Sequence, residues 1–278
     1  MLETVLLALA DLPGKMDILI IGYGRVGQEI AKNLEKIKSV NKIFIKNLIK
    51  PKDLTGKKVF IEDISSVKID YVIIAISAVP YNKWITLINE EKDLYSLIEK
   101  ELSYNLPQIK KLENELSRLP EKTKIINVTN PSDAITNYLK NKIKNKVIGF
   151  GGELDAFRYE KETKKHTLCI GLHNKSMPIL NLKSKEEIEK ISSKISDKVL
   201  IQLRKEGMTH KITGKIFGEF FKKIISNKKS IIHFCYSLNE KPSFTKPFYV
   251  RNGEIQGEVP LILNDIEKKM LEKILKLL

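Results

Sequence analysis

The spacing of apolar positions changes several times along this chain. Met16–Ile21 is an apolar run broken only by Asp17, the pattern of a strand buried on both faces. Val26, Ile30, Leu34 and Ile37 then recur at helical spacing, and residues 42–45 form a second apolar run. Further runs at 58–61, 71–76, 124–128 and 146–148 predict more strands of one parallel sheet. Past residue 150 the pattern is mixed. Residues 166–170 read as a strand and 185–205 as a charged helix, while 216–225 read as a helix with Phe217, Phe220, Phe221 and Ile224 on its core face. Residues 230–238 and 248–251 read as antiparallel strands, and Asn264 with Glu267 three places on signals the capped start of a last helix.

Between the first strand and the first helix stands GYGRVG, residues 22–27. Strand, glycine turn, helix and strand in this order form a dinucleotide-binding unit. Gly22 allows the tight turn, Gly24 lets backbone approach a pyrophosphate, and Gly27 lets helix and strand pack closely. The helix N-terminus, with Arg25 and Val26, then faces the phosphates. The expected architecture is α/β: a Rossmann domain with a parallel sheet over residues 16–148, followed by an α+β substrate domain with antiparallel strands over 149–278. Ligands of such sheets sit beyond the carboxyl ends of the strands, which places 77–80 and 130–133 near the site. Residues 1–15 read as an N-terminal arm that packs on the body or on another subunit.

Composition narrows the classes. A chain of 278 residues, 42% hydrophobic and 30% charged, can bury a large core. The net charge of +15 is carried by lysine, since the arginines are Arg25, Arg118, Arg158, Arg204 and Arg251. Specific nucleic-acid readers lean on arginine, and here glutamates interrupt the lysines, so no nucleic-acid partner is expected. Enrichment in Lys, Glu and Ile points to a thermophile. Cys169 and Cys235 are too few for a disulfide framework, and no Cys/His spacing suits a metal. A reducing cytoplasm is the expected location, and the apolar stretch 2–10 is too short to span a bilayer.

The chemistry concentrates in GFGGELDAFRYE and the following CIGLHNKS, which bring Asp155, Arg158 and His173 close together in sequence. An arginine fork can hold a carboxylate by two hydrogen bonds. A neutral histidine can take a proton from a hydroxyl, and a buried aspartate can fix its tautomer. Such a set would oxidise a 2-hydroxy acid if a hydride acceptor lay nearby. Asp155 and Arg158 could equally pair only with each other along a helix turn, and Asn130 before Pro131 could simply start a turn. His166, His210 and His233 read as structural, Cys235 as core, and Trp84 as surface or interface.

Taken in order, IGYGRVGQEIAKNL, YVIIAISAVP, NVTNPSDAITNYL, VIGFGGELDAFRYE, CIGLHNKSMPIL, GMTHKITGKIFGEFFKKII and GEVPLILNDIEKKMLEKIL resemble the lactate and malate dehydrogenase family, most closely malate dehydrogenase. The resemblance implies an NAD- or NADP-dependent oxidoreductase that interconverts a 2-hydroxy acid and its 2-oxo acid, as a homodimer or homotetramer. It implies that Gly22, Gly24 and Gly27 hold the pyrophosphate, and that Asn130 bonds the reacting oxygen and the nicotinamide. Arg158 would clamp the substrate carboxylate, His173 would be the acid/base with Asp155 as its partner, and Thr209 would line the substrate pocket.

The chain departs from that family in two places. The acid that usually ends the second strand and binds the ribose is replaced by Lys46 and Asn47, so Lys46 could attract a 2'-phosphate. The family also carries arginines in a mobile loop after the fourth strand, whereas here the specificity position falls on Tyr81, the polarising position near Ile98, and no arginine occurs between Arg25 and Arg118. Lys83, Lys92 or Lys100 could substitute only as point charges, and the loop YNKWITLINEEKDLY reads as longer than the family's. The segments after the second strand and on either side of His173 read as short. These departures keep a second reading open, a catalytically weak or inactive nucleotide-binding relative with a sensing or assembly role. IGYGRVGQEIAKNL alone would also suit a nucleotide-gated regulatory domain of potassium-transport type, which predicts an acid after the second strand.

Overall fold

A computed structural model describes residues 14–52, 54–180, 184–207, 209–238 and 242–277, so nearly all of the expected N-terminal arm lies outside the described residues. β1 (Met16–Ile21) runs through the middle of a nine-stranded sheet. Its alternate side chains go to opposite faces, Ile18 and Ile20 to one core and Leu19 and Ile21 to the other, which is why the run is apolar without alternation. β2 (Val40–Lys46), β3 (Lys58–Phe60), β4 (Tyr71–Ile74), β5 (Lys124–Asn127) and β6 (Val147–Gly149) join it in parallel in the order β3-β2-β1-β4-β5-β6. The order reverses between β1 and β4, where a cleft opens at the carboxyl ends of the strands.

The sheet does not stop at the expected boundary. Residue 148 lies inside β6, and β9 (Ser230–Tyr236) pairs antiparallel with β6 through Gly149 and Cys235. β10 (Phe244–Arg251) and β11 (Glu254–Glu258) extend that antiparallel edge. Both halves therefore share one sheet. β10 begins earlier than the sequence pattern suggested, because Phe244 to Pro247 pair with β9 although apolar and polar residues do not alternate cleanly there.

α1 (Arg25–Leu34) and α8 (His210–Ile225) cover one face of the sheet. Phe217, Phe220 and Phe221 are fully buried there against β1, β4 and β9, each contributing about 2–3 kcal/mol by removal from water. The other face is covered by α4 (Leu102–Leu116) and α5 (Ser132–Lys140) through Ile109, Leu112, Leu116, Ile135 and Leu139.

The stretch expected as a long mobile loop is helical. α2 (Tyr81–Glu90) and α3 (Leu94–Lys100) bury Leu87, Ile88, Leu94, Leu97 and Ile98 against Val199, Leu200 and Leu203 of α7 (Lys185–Glu206). Asp93 caps α3 by accepting the Ser96 N–H at 3.0 Å. Trp84 donates its indole N–H to the Gly207 carbonyl at 2.9 Å, and Arg204 donates to the carbonyls of Ile88 and Glu91. The apolar residues of this stretch serve a small core that exists only once α7 is in place, so their periodicity read weakly in the chain.

A two-stranded hairpin, β7 (Leu168–Ile170) and β8 (Met177–Ile179), stands beside α6 (Gly152–Thr163). Its turn is tied to the large sheet by paired backbone bonds between Gly171 and Thr245 at 2.9 and 3.0 Å. The last helix, α9 (Asp265–Leu275), starts at the expected capping box of Asn264 and Glu267.

Candidate active site

β1 ends at Gly22, whose φ of +91° only glycine adopts without strain. A Cβ at Gly27 would sit 2.2 Å from the Gly22 carbonyl oxygen, so helix and turn can touch only between glycines. α1 begins with Gly24 at its N-cap and no side-chain cap, which leaves the N–H groups of Arg25, Val26 and Gly27 to point outward. A Cβ at Gly24 would meet nothing within 4 Å, so the space in front of these donors is open. Free N–H groups, a helix dipole and open space fit a pyrophosphate.

Past β2, the Asn47 side-chain oxygen accepts the Tyr23 N–H at 3.1 Å, in the stretch where an acid would otherwise stand. Lys46 turns elsewhere. Its ammonium reaches the Glu115 carboxylate at 2.9 Å and the Glu62 carbonyl at 2.6 Å, and it does not line the cleft. Lys46, expected to meet the cofactor, is paired here with α4, a contact that the local sequence does not reveal.

Asp155 sits in the first turn of α6 and is buried. Its carboxylate accepts four side-chain or backbone hydrogens: His173 Nδ1 at 3.1 Å, the Asn174 N–H at 3.0 Å, the Ser176 hydroxyl at 3.0 Å and Arg158 Nη1 at 3.1 Å. The same Arg158 Nη1 also donates to the Asn174 side-chain oxygen at 2.8 Å. The Asp155–Arg158 pair is thus part of a larger set, not an isolated helix-turn contact. His173 stands in the hairpin turn closed by Lys175 N–H to Leu172 carbonyl at 2.8 Å, and its own N–H donates to the Asp133 carboxylate at 2.7 Å. Its ring packs against Gly151, where a Cβ would come within 2.5 Å of the imidazole. With Nδ1 bonded to Asp155, Nε2 is the nitrogen left to exchange a proton.

One cavity of about 290 Å³ collects most of the residues singled out from sequence: Gly24, Arg25, Val26, Asn130, Arg158, His173 and Thr209 all line it. Gly22 and Gly27 shape the turn behind it, and Asp155 backs His173. A larger cavity of about 530 Å³ opens on the other side of Arg158, toward α7 and α9, but contains neither His173 nor the glycine turn. The smaller one is the better candidate, because proton-transfer and phosphate-binding groups share it.

Tyr81 and Ile98 also line the candidate cavity, and the Arg25 guanidinium lies 5.9 Å from the Tyr81 ring centre. Lys83, Lys92 and Lys100 do not line it, and Lys100 is paired with Glu91. None of them stands at the cavity in place of the missing arginines. Sequence reasoning missed Glu101, Asn105, Asn174 and Thr213. Glu101 and Thr213 line the cavity, and Asn105 binds the Ala78 N–H, the Asn130 carbonyl and Glu101 together. Their signal in the chain is weak, since each is one polar residue in a helical or loop stretch rich in others.

Electrostatics separate the acids. Burial pushes the Asp155 carboxyl up, but His173 and Arg158 outweigh it and hold the group below its ordinary range. Burial raises Asp133, which the His173 N–H only partly offsets. Glu101 is pushed up to about 7 by burial, against hydrogen bonds from the Asn105 and Asn130 side chains.

No protein-family model matches the chain, and no curated protein sequence matches it. Solved structures do. Cryptosporidium parvum malate dehydrogenase superposes with a TM-score of 0.77 at 18% identity, over 94% of this chain and 96% of that one. Eimeria maxima lactate dehydrogenase, solved with NADH and oxamate, gives 0.75 at 16% over 95% and 94%. The malate dehydrogenase of Aeropyrum pernix gives 0.74 at 18% over 94% and 96%. The chain has the malate and lactate dehydrogenase fold. Within that fold the glycine turn, the Asp155–His173 pair and Arg158 converge on one cleft although few residues are shared. Among the described residues no cluster of His, Cys, Asp or Glu could hold a metal, and no helix is long and apolar enough to cross a membrane.

Proposed function

We propose that the protein is an NAD-dependent oxidoreductase that interconverts a 2-hydroxy acid and its 2-oxo acid. The observation that carries this reading is the shared cavity: a histidine backed by a buried aspartate, an arginine, and the open N-terminus of α1 all face it. Arg158 would hold the substrate carboxylate with the part of its fork not taken by Asp155 and Asn174. Asn130 would donate to the reacting oxygen, and Thr209 would close the far wall. His173 would accept the hydroxyl proton at Nε2, while Asp155 holds the tautomer and stabilises the imidazolium. Bound nicotinamide would supply or accept the hydride. Pairing of Lys46 with Glu115 removes the support for a 2'-phosphate site and favours NAD over NADP. Cytoplasmic location and a homodimer or homotetramer belong to this reading through the family resemblance.

The test follows NADH and NADPH oxidation with a panel of 2-oxo acids. Turnover with NADH, lost in His173→Gln while NADH affinity survives, is the expected result. Tight NADH binding with no turnover on any 2-oxo acid would leave the second reading, a nucleotide-binding relative that senses or assembles. The weight of that alternative comes from the absence of any arginine in the α2–α3 segment itself.

A further inference from the structure

Glu101 is a buried acid in the wall of the candidate cavity, 6% exposed, and among the described residues no cation is paired with it. Its carboxylate is held by the Asn105 side chain at 3.3 Å, and Asn105 also binds the Asn130 carbonyl at 2.8 Å and the Ala78 N–H at 2.8 Å. The acid is therefore fixed beside Asn130, at the root of the α2–α3 pair. The rest of that wall is apolar: Val79, Trp84, Leu94, Ile98 and Leu203. The cations of the cavity are Arg25, beside the glycine turn and the Tyr81 ring, and Arg158, on the opposite wall with Asp155. A substrate carboxylate clamped by Arg158 leaves the remainder of the molecule facing an apolar wall and a fixed acid.

We propose that Glu101 sets the charge of the substrate at this site: the cavity takes a 2-oxo or 2-hydroxy acid with one carboxylate and an uncharged chain, and Glu101 excludes a second carboxylate. This rests on the functional reading above. A second carboxylate would lose its water to face a fixed acid that repels it, with no lysine or arginine among the described residues of that wall to offset the loss, and a neutral side chain at this position removes the repulsion. An uncharged chain meets the apolar wall and leaves the Glu101–Asn105 bond undisturbed.

The test measures binding directly. Calorimetric titration of oxamate, with one carboxylate, and of tartronate, with two, into the protein saturated with NADH at pH 8 is compared between wild type and Glu101→Gln. Oxamate should bind about 10-fold or more tightly than tartronate in the wild type, and the ratio should shift toward tartronate by about 10-fold in the variant. Glu101→Met, isosteric and without hydrogen-bonding capacity, should shift it the same way, and thermal melts show whether either variant is folded. A wild type that prefers tartronate, binds neither anion, or keeps its ratio in both folded variants overturns the proposal. Selective oxamate binding without turnover of any 2-oxo acid would support the selectivity while the dehydrogenase reading fails, so the two are distinguishable.

Discussion

Helix α6 carries two acid–histidine pairs, and they have opposite surroundings. Asp155 bonds His173, and Glu153 bonds His233 through both the ring Nδ1 at 3.1 Å and the backbone N–H at 3.0 Å. Two residues apart, the acids project from different sides of the helix. Asp155 faces the hairpin turn behind His173, whereas Glu153 faces β9 and the end of α8, where Lys223 also pairs with it. His173 lines the open cleft, while His233 is 2% exposed and its Nε2 is sealed with no partner among the described residues. The local chemistry of the two pairs is the same. What differs is whether the second ring nitrogen has anywhere to deliver a proton, and only the first pair has that exit.

The largest effect should come from the histidines themselves. His173→Gln should lower kcat/KM for 2-oxo acid reduction by about 10³-fold, the usual scale for a lost acid/base. His233→Gln should leave kcat/KM within about 3-fold and act on stability instead, through the hydrogen bond lost to Glu153, worth on the order of 1 kcal/mol. Steady-state NADH oxidation by the two variants checks this. Equal losses would erase the distinction between the pairs.

Next come the acids, whose pH signatures run in opposite directions. Glu153 is raised by burial, yet His233 and Lys223 outweigh that and bring it down to about 2. Its folded pKa is thus depressed below the unfolded value. It contributes on the order of 3 kcal/mol above pH ~4.5 that is lost as pH falls toward ~2. Glu101 has no cation paired with it among the described residues and is pushed up to about 7 by burial, so it binds its proton more tightly in the folded state. Stability from that proton is present below pH ~4.5 and is lost, again by about 3 kcal/mol, as pH rises through ~7. Urea unfolding of Glu153→Gln and Glu101→Gln between pH 3 and 8 should flatten the acid limb in the first variant and the neutral limb in the second. Unchanged profiles would refute these assignments.

Arg158→Lys tests the cavity side of the comparison more finely. A lysine keeps the charge but loses the planar fork held by Asp155 and Asn174 and proposed to clamp the substrate carboxylate, so KM for a 2-oxo acid should rise about 30-fold while kcat changes less. The smallest expected effect is at the rim. Trp84→Phe removes only the hydrogen bond to the Gly207 carbonyl, and should cost about 1 kcal/mol in docking α2 on α7, read as a lower melting temperature and faster proteolysis within residues 81–95.

The strands of the parallel sheet and the glycine turn were legible in the chain because each is a local pattern with a strict geometric meaning. An apolar run bounded by turn residues becomes a strand covered on both faces, and Gly22 and Gly27 stand where backbone must touch backbone. Asp155, Arg158 and His173 were legible too, being within twenty residues of one another on a helix and the hairpin it supports. The α2–α3 pair was not, since its apolar residues match a face of α7 that lies a hundred residues away. The ion pair of Lys46 was not legible for the same reason: its partner Glu115 belongs to a helix beyond two further strands.

By itself, then, the sequence determined the α/β architecture, the glycine turn between β1 and α1, and the nearness of Asp155, Arg158 and His173, because hydrophobic spacing and glycine sterics act over a few residues. The tertiary structure alone decided which of two acid–histidine pairs opens on a cavity, that Lys46 is held by Glu115, and that Glu101 stands buried in the cavity wall. Burial, ion pairing and access to a cleft depend on segments far apart in the chain, and no local spacing encodes them.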